Sequence, residues 1–222
     1  MSHLHLPDGV LPWWLWSGGL AVTGILVFIA LKRLEARRRL LPTVAVMAAV
    51  SLVAMNIPLG LPLHVNLAAL AGIILGPVLG FLAVFIVNLF NALVSHGGLT
   101  MLGVNALLVG SEALVAGGLF LLLGGGRRLL VNAGLAVLVA LLVSTLLVLA
   151  VAAIAGVELE ALAHHDHDKP HAPGEGEGRG FFGTFVLLVA PLAAVWAAVE
   201  LPLSLLVVAY VDKVKGGWFA RG

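Results

Sequence analysis

Apolar residues run along this chain in blocks of about twenty, separated by short clusters of Pro, Gly and charged residues. A helix rises ~1.5 Å per residue, so ~20 residues cover the ~30 Å of hydrocarbon in a bilayer. The blocks predict spans over Trp13–Leu31, Leu41–Ile57, His64–Leu79, Gly80–Leu93, Val104–Leu123, Leu129–Ile154 and Phe181–Tyr210. Between Ala54 and Leu93, Pro58, Pro62 and Pro77, with Gly60, Gly72, Gly76 and Gly80, interrupt an apolar run that fits one long span or two short ones. The expectation is an all-α integral membrane protein of about seven transmembrane helices, a single transmembrane domain over residues 1–222.

Composition strengthens that expectation. The chain is 61% hydrophobic and 10% charged, against roughly 45–50% and about 25% in a soluble domain. No soluble fold hides so much apolar surface. The net charge is +1, and the basic residues stand at helix ends rather than in one patch, which excludes nucleic acid as a partner. Cysteine is absent, so disulfides, thiolate metal sites and Cys nucleophiles are excluded, and any metal falls to nitrogen and oxygen ligands. The first apolar block has neither a positively charged leader nor a small-residue cleavage site, so it is expected to stay as a span.

Charge also orients the spans. Lys32, Arg33, Arg37, Arg38 and Arg39 follow the first span, Arg127 and Arg128 the fifth, and Lys213, Lys215 and Arg221 the seventh, so ten of the twelve basic residues share one side. The positive-inside rule makes that side cytoplasmic, with the N-terminus outside and the C-terminus in the cytoplasm. All eight histidines then fall outside: His3, His5, His64, His96, His164, His165, His167 and His171. Histidine took no part in the charge count, so this clustering independently points to an outer face that handles a nitrogen-seeking ion.

The segment Met1-Ser2-His3-Leu4-His5-Leu6-Pro7-Asp8-Gly9 is too short and too broken for a helix. A histidine beside a free amino terminus offers the amine, metal-deprotonated amide nitrogens and its imidazole in one plane, a set suited to nickel(II) or copper(II). With Met1 retained, the set is the Met1 amine, the Ser2 and His3 amides and the His3 imidazole. With Met1 removed, the Ser2 amine and the His3 amide and imidazole leave a corner that a second histidine can close. His64 is the candidate, because it follows the Pro58-Leu59-Gly60-Leu61-Pro62 break at the outer mouth of the third span.

His5-Leu6-Pro7-Asp8-Gly9-Val10-Leu11-Pro12 resembles the N-terminal His-Ile-Pro-Asp-Gly signature of the CbiM/NikM family, the substrate-binding membrane components of energy-coupling factor (ECF) transporters for cobalt and nickel. Ala54-Met55-Asn56-Ile57-Pro58, His64, Leu75-Gly76-Pro77 and the run His96-Gly97-Gly98-Leu99-Thr100-Met101-Leu102-Gly103-Val104-Asn105 resemble the family's middle helices in order and spacing. The likeness is good from Leu4 to Gly118 and reduces to a general plan, with Pro191 and Glu200, after Gly124.

The resemblance implies a seven-helix bundle into which residues 1–12 fold as a plug, holding one ion through the amino-terminal nitrogen, the neighbouring histidine and a second histidine. His5 and His64 match the family's two histidines. The family begins Met-His, whereas three residues precede Leu4 here, so His3 either takes the amine-linked role or ligates with His5 through side chains alone. The metal-binding set is therefore Ser2, His3, His5 and His64, for a transported nickel or cobalt ion and no permanent cofactor. His96, at the head of a Gly-Gly turn, with Thr100 and Asn105, is expected to brace the plug.

Other polar residues fit less specific roles. Asn56, Asn66, Asn88, Asn91 and Asn105 lie in or beside spans, where amides tie helices together. Glu112 and Glu200 are the carboxylates inside spans, and an ionisable group there is a functional candidate. No residue is assigned a catalytic role, because no His-Glu-x-x-His, Gly-x-Ser-x-Gly or phosphate-binding loop occurs. Residues 156–180, holding His164-His165-Asp166-His167-Asp168-Lys169-Pro170-His171, are expected to form a disordered outer loop that gathers metal loosely or merely links two spans.

The resemblance supplies the missing energy source as partners: a transmembrane coupling (T) protein, a pair of cytoplasmic ATPases and a small accessory membrane subunit. Small residues at Gly72/Gly76/Gly80, Ala193/Ala197 and Gly110 to Gly118 allow close helix contacts, within the bundle or against the coupling protein. Two rival readings remain, a metal-dependent intramembrane enzyme built on Glu112 or Glu200 and a passive metal channel or sensor.

Overall fold

The computed structural model describes residues 11–56, 66–94, 98–124, 128–155 and 178–214. They form seven α-helices, with no strand among them: α1 (Trp13–Ala36), α2 (Leu41–Met55), α3 (Ala68–Leu75), α4 (Pro77–Leu93), α5 (Leu102–Leu122), α6 (Leu129–Ala155) and α7 (Gly178–Val214). A single 3-10 turn, Arg38–Leu40, joins α1 to α2. Among the described residues, five stretches are long and apolar enough to cross a membrane: α1, Arg38–Met55, α5, and the parts of α6 and α7 at Leu129–Val151 and Ala193–Val214.

Helix boundaries follow local chemistry. Extended Pro12 precedes α1, which runs past the expected end at Leu31 to Ala36. Charged residues are tolerated there because they reach water: Glu35 meets Lys32 at 3.7 Å and Arg38 at 3.9 Å, both on the surface. Such exposed pairs contribute ~0–1 kcal/mol and mark an interface more than they stabilise it.

The ambiguous stretch resolves into two helices. Gly76 adopts φ 80° and ψ 165°, a conformation costly for a residue with a Cβ, and Pro77 then opens α4 with no amide hydrogen to satisfy. The third element is therefore not the full crossing expected over His64–Leu79. Helix α3 holds 8 residues, about 12 Å of rise, so it reaches only partway through the bilayer. Helix α4 holds 17 residues, about 25 Å. The last helix is longer than expected, with 37 residues against a forecast of Phe181–Tyr210.

The centre of the fold is α5, which packs against α1, α3, α4 and α6. Buried residues make up 61% of its most apolar stretch, against 11–28% in the other four crossing segments. Close approach explains how one helix serves so many neighbours. A Cβ on Gly72 of α3 would strike the Ala113 carbonyl of α5, and one on Gly80 of α4 would lie 2.7 Å from the Gly72 Cα. Between hydrocarbon tails and apolar side chains there is little hydrophobic drive, so tight packing through small residues and interhelical hydrogen bonds hold such helices together. At the α1–α5 crossing, Gly103 lies against the Leu20 backbone, and buried Thr23 donates to Gly103 O at 2.7 Å. The outward faces of α1 and α6, with Ile25, Phe28, Leu142 and Leu146, are exposed and suit lipid.

Candidate functional site

One face of α5 gathers the polar chemistry of the interior. Met101, Val104, Asn105, Leu108 and Glu112 recur at helical spacing along it, and all five are buried. Leu11, the first described residue, is also buried and belongs to a cluster with Met101 at the N-cap of α5, Val104 and Leu108 of α5 and Val148 of α6. The end of the predicted plug over residues 1–12 is thus buried in the bundle at Leu11.

One turn beyond Leu108, the Asn66 side-chain amide donates to Glu112 Oε2 at 2.5 Å. The other end of the same Asn66 amide, one residue ahead of the N-cap Leu67, accepts from the Ala68 backbone N–H at 2.9 Å and so satisfies the first amide of α3. Ser144 of α6 lies within hydrogen-bonding reach of the Glu112 carboxyl and donates to Leu108 O at 3.2 Å. Three elements therefore meet at Glu112: the start of α3, α5 and α6. Isolated carboxyl and amide groups are costly in a hydrocarbon environment, so their mutual satisfaction fixes where α3 begins. Glu112 is ten residues after Leu102 in α5, about 15 Å along the helix axis, so Asn66 meets α5 well beyond its N-terminal end.

A second carboxyl is buried in α7. Glu200 is fully buried and accepts from Trp196 Nε1 at 2.7 Å. Trp196, Glu200, Ser204 and Val208 form the buried line by which α7 meets the bundle. Ser204 Oγ and Glu200 Oε1 have no hydrogen-bond partner among the described residues.

The metal-binding residues expected from sequence, Ser2, His3, His5 and His64, lie outside the described residues, as do His96 and the loop at 156–177. Of the bracing residues, Asn105 is buried on the α5 face that holds Leu11, whereas Thr100 is exposed before the helix starts. Among the described residues, no three or more His, Cys, Asp or Glu side chains gather as a metal site. Sequence reasoning did not single out Leu11, which is one leucine in an apolar background that nothing local marks. Asn66 was among the amides expected to tie helices together, and its bond to Glu112 of α5 does so.

A multi-pass helical membrane protein with a buried polar cluster about Glu112 is the class these features define. The chain belongs to the CbiM family, described as the cobalt uptake substrate-specific transmembrane region, which it matches over residues 5–218. It is 39% identical over 123 residues to a Haemophilus influenzae protein provisionally named as a metal transport protein, a stretch covering 53% of this chain. The match spans 57% of that relative's length. A solved structure titled as that of a transition metal transporter has the same fold, with a TM-score of 0.70 and 21% identity over 98% of this chain and 100% of that one. Family membership places this chain among transmembrane regions described for cobalt uptake.

Proposed function

We propose that this protein is the substrate-capturing component of an ATP-driven ECF-type importer of nickel or cobalt in a prokaryotic cell membrane. In this reading the N-terminus faces outward and the C-terminus the cytoplasm. Ser2, His3, His5 and His64 hold one ion through imidazoles and main-chain nitrogens, a donor set that leans toward nickel. A transmembrane coupling protein, a cytoplasmic ATPase pair and a small accessory membrane subunit drive reorientation and release.

The observation that carries the proposal is the convergence of two chain segments on one face of α5. Leu11 is buried against Leu108, and Asn66 is tied to Glu112 one turn further on, about 6 Å along the axis. The leader and the segment preceding α3 are the segments that bear the candidate ligands. Six residues separate His5 from Leu11, so an extended chain reaches about 20 Å, ample to bring the leader to His64.

Metal accumulation in cells tests the transport role. Cells making this chain with its coupling protein and ATPases should take up nickel or cobalt, and cells making it alone, or with ATPases unable to hydrolyse ATP, should not. Equal uptake by the chain alone would show a passive channel and refute the ECF assignment.

A further inference from the structure

Charge is spread unevenly along this chain. The whole protein carries +1, yet residues 32–39 hold five basic side chains against one acid, Glu35. They close the hairpin between α1 and α2, where the last turn of α1 leads through Arg37 into the 3-10 turn Arg38–Leu40. Lys32 and Arg38 share Glu35, at 3.7 Å and 3.9 Å. Lys32 also lies back over the Phe28 ring, 5.9 Å from its centre. Arg33, Arg37 and Arg39 are exposed and meet no acidic side chain within ion-pair distance among the described residues. Orienting the spans takes an excess of positive charge on one side. It does not take three guanidiniums without a counterion at a single turn.

Apolar surface begins where the charge ends. Phe28, Ile29 and Leu31 of α1 and Leu41 of α2 are large, exposed and within about two turns of the three arginines. Helix α1 packs on α5 and α4, and α2 packs on α4, with little contact between α1 and α2 themselves, so both flanks of the turn stay open to lipid. A free anion needs cations alone, whereas a phospholipid needs a cationic rim continuous with an apolar face. Guanidinium suits the first part, because its planar fork matches a phosphate and it is weakly hydrated.

We infer that the α1–α2 turn binds an anionic phospholipid, with the headgroup phosphate held by Arg33, Arg37 and Arg39 and the acyl chains laid on Phe28, Ile29, Leu31 and Leu41. The bound lipid pins this end of the bundle at the headgroup layer. A zwitterionic lipid presents the same phosphate with its own cation attached, so it competes poorly. None of the proposed metal ligands takes part, and the inference stands apart from the metal site.

Native mass spectrometry of the purified full chain in a neutral detergent tests it, by titration with phosphatidylglycerol or with phosphatidylcholine of identical acyl chains. Each basic residue near an anionic surface contributes about fivefold, so the three arginines should give phosphatidylglycerol a preference on the order of 100-fold. Arg33→Gln/Arg37→Gln/Arg39→Gln together should abolish that preference, while Arg128→Gln, exposed at the start of α6, should leave it intact. Leu41→Ser should weaken both lipids alike, and equimolar inorganic phosphate should displace neither. The single arginine substitutions, each expected to cost about fivefold, keep the test open should the triple variant fail to fold.

Equal retention of the two lipids by the wild type would overturn the inference. An unchanged preference in the triple variant, or in all three single variants, would do the same and leave the turn to an acidic protein partner. Displacement of phosphatidylglycerol by equimolar inorganic phosphate would also overturn it, by showing that the apolar face takes no part.

Discussion

Replacing Gly72 by alanine tests the packing on which the central position of α5 depends. The new Cβ would strike the Ala113 carbonyl oxygen and lie 2.8 Å from both the carbonyl carbon and Cα of Ala113. All three are backbone atoms of a buried helix and cannot rotate aside. Alanine gains ~1 kcal/mol over glycine in helix propensity, while forcing a methyl into a filled interior costs ~1–3 kcal/mol. With only backbone to displace, the cost lies at the upper end, and the net loss is about 2 kcal/mol. For a chain of this size that lowers the thermal midpoint by roughly 4–8 °C. Gly118, around which a Cβ meets nothing within 4 Å, is the matched control and should tolerate alanine without loss. Thermal unfolding of the detergent-solubilised variants, followed by circular dichroism, reads both. A Gly72→Ala midpoint equal to that of Gly118→Ala would refute the reasoning.

Two further outcomes follow from the site. Leu11→Ala removes the buried anchor of the leader, which costs about 2–5 kcal/mol locally, and should weaken nickel binding at least about tenfold in a titration; full affinity would mean that the leader does not dock through Leu11. Lowering the pH through the imidazole range, about 8 to 5, should weaken binding progressively, because protons compete for the amine, amide and imidazole nitrogens. A pH-independent nickel affinity over that range would argue against nitrogen ligation.

Much of this fold can be read from the chain because the bilayer demands a long apolar block for each crossing. Ambiguity entered where two breakers competed. Gly72, Gly76 and Gly80 look alike in sequence, yet Gly76 makes the turn while Gly72 and Gly80 face each other across α3 and α4. Residue identity cannot separate a glycine that bends the chain from one that admits a neighbour. The shortness of α3 was hidden for a related reason: its apolar run continues on both sides, and the bond from the Ala68 N–H to Asn66 that marks the start of the helix is seen only in the fold.

Site residues were legible in proportion to how unusual their chemistry is. Histidines near an amino terminus are conspicuous, and so are Glu112 and Glu200 within apolar blocks. That Glu112 would pair with a Ser or Asn across the bundle was legible from its cost in an apolar block, but which one was not, because Asn66 is 46 residues away and meets it only in the folded bundle. Nor was Leu11, whose burial depends on Met101 and Val148 from distant helices.

The most direct test of the account is calorimetric titration of the purified protein with nickel and cobalt, comparing the wild-type chain, His64→Ala and a form extended at the amino terminus. Tight binding of one ion by the wild type, and a loss of at least about 100-fold in both altered forms, about 2.7 kcal/mol, is the predicted result. Equal affinity in all three would contradict the claim that the leader and His64 together hold the ion.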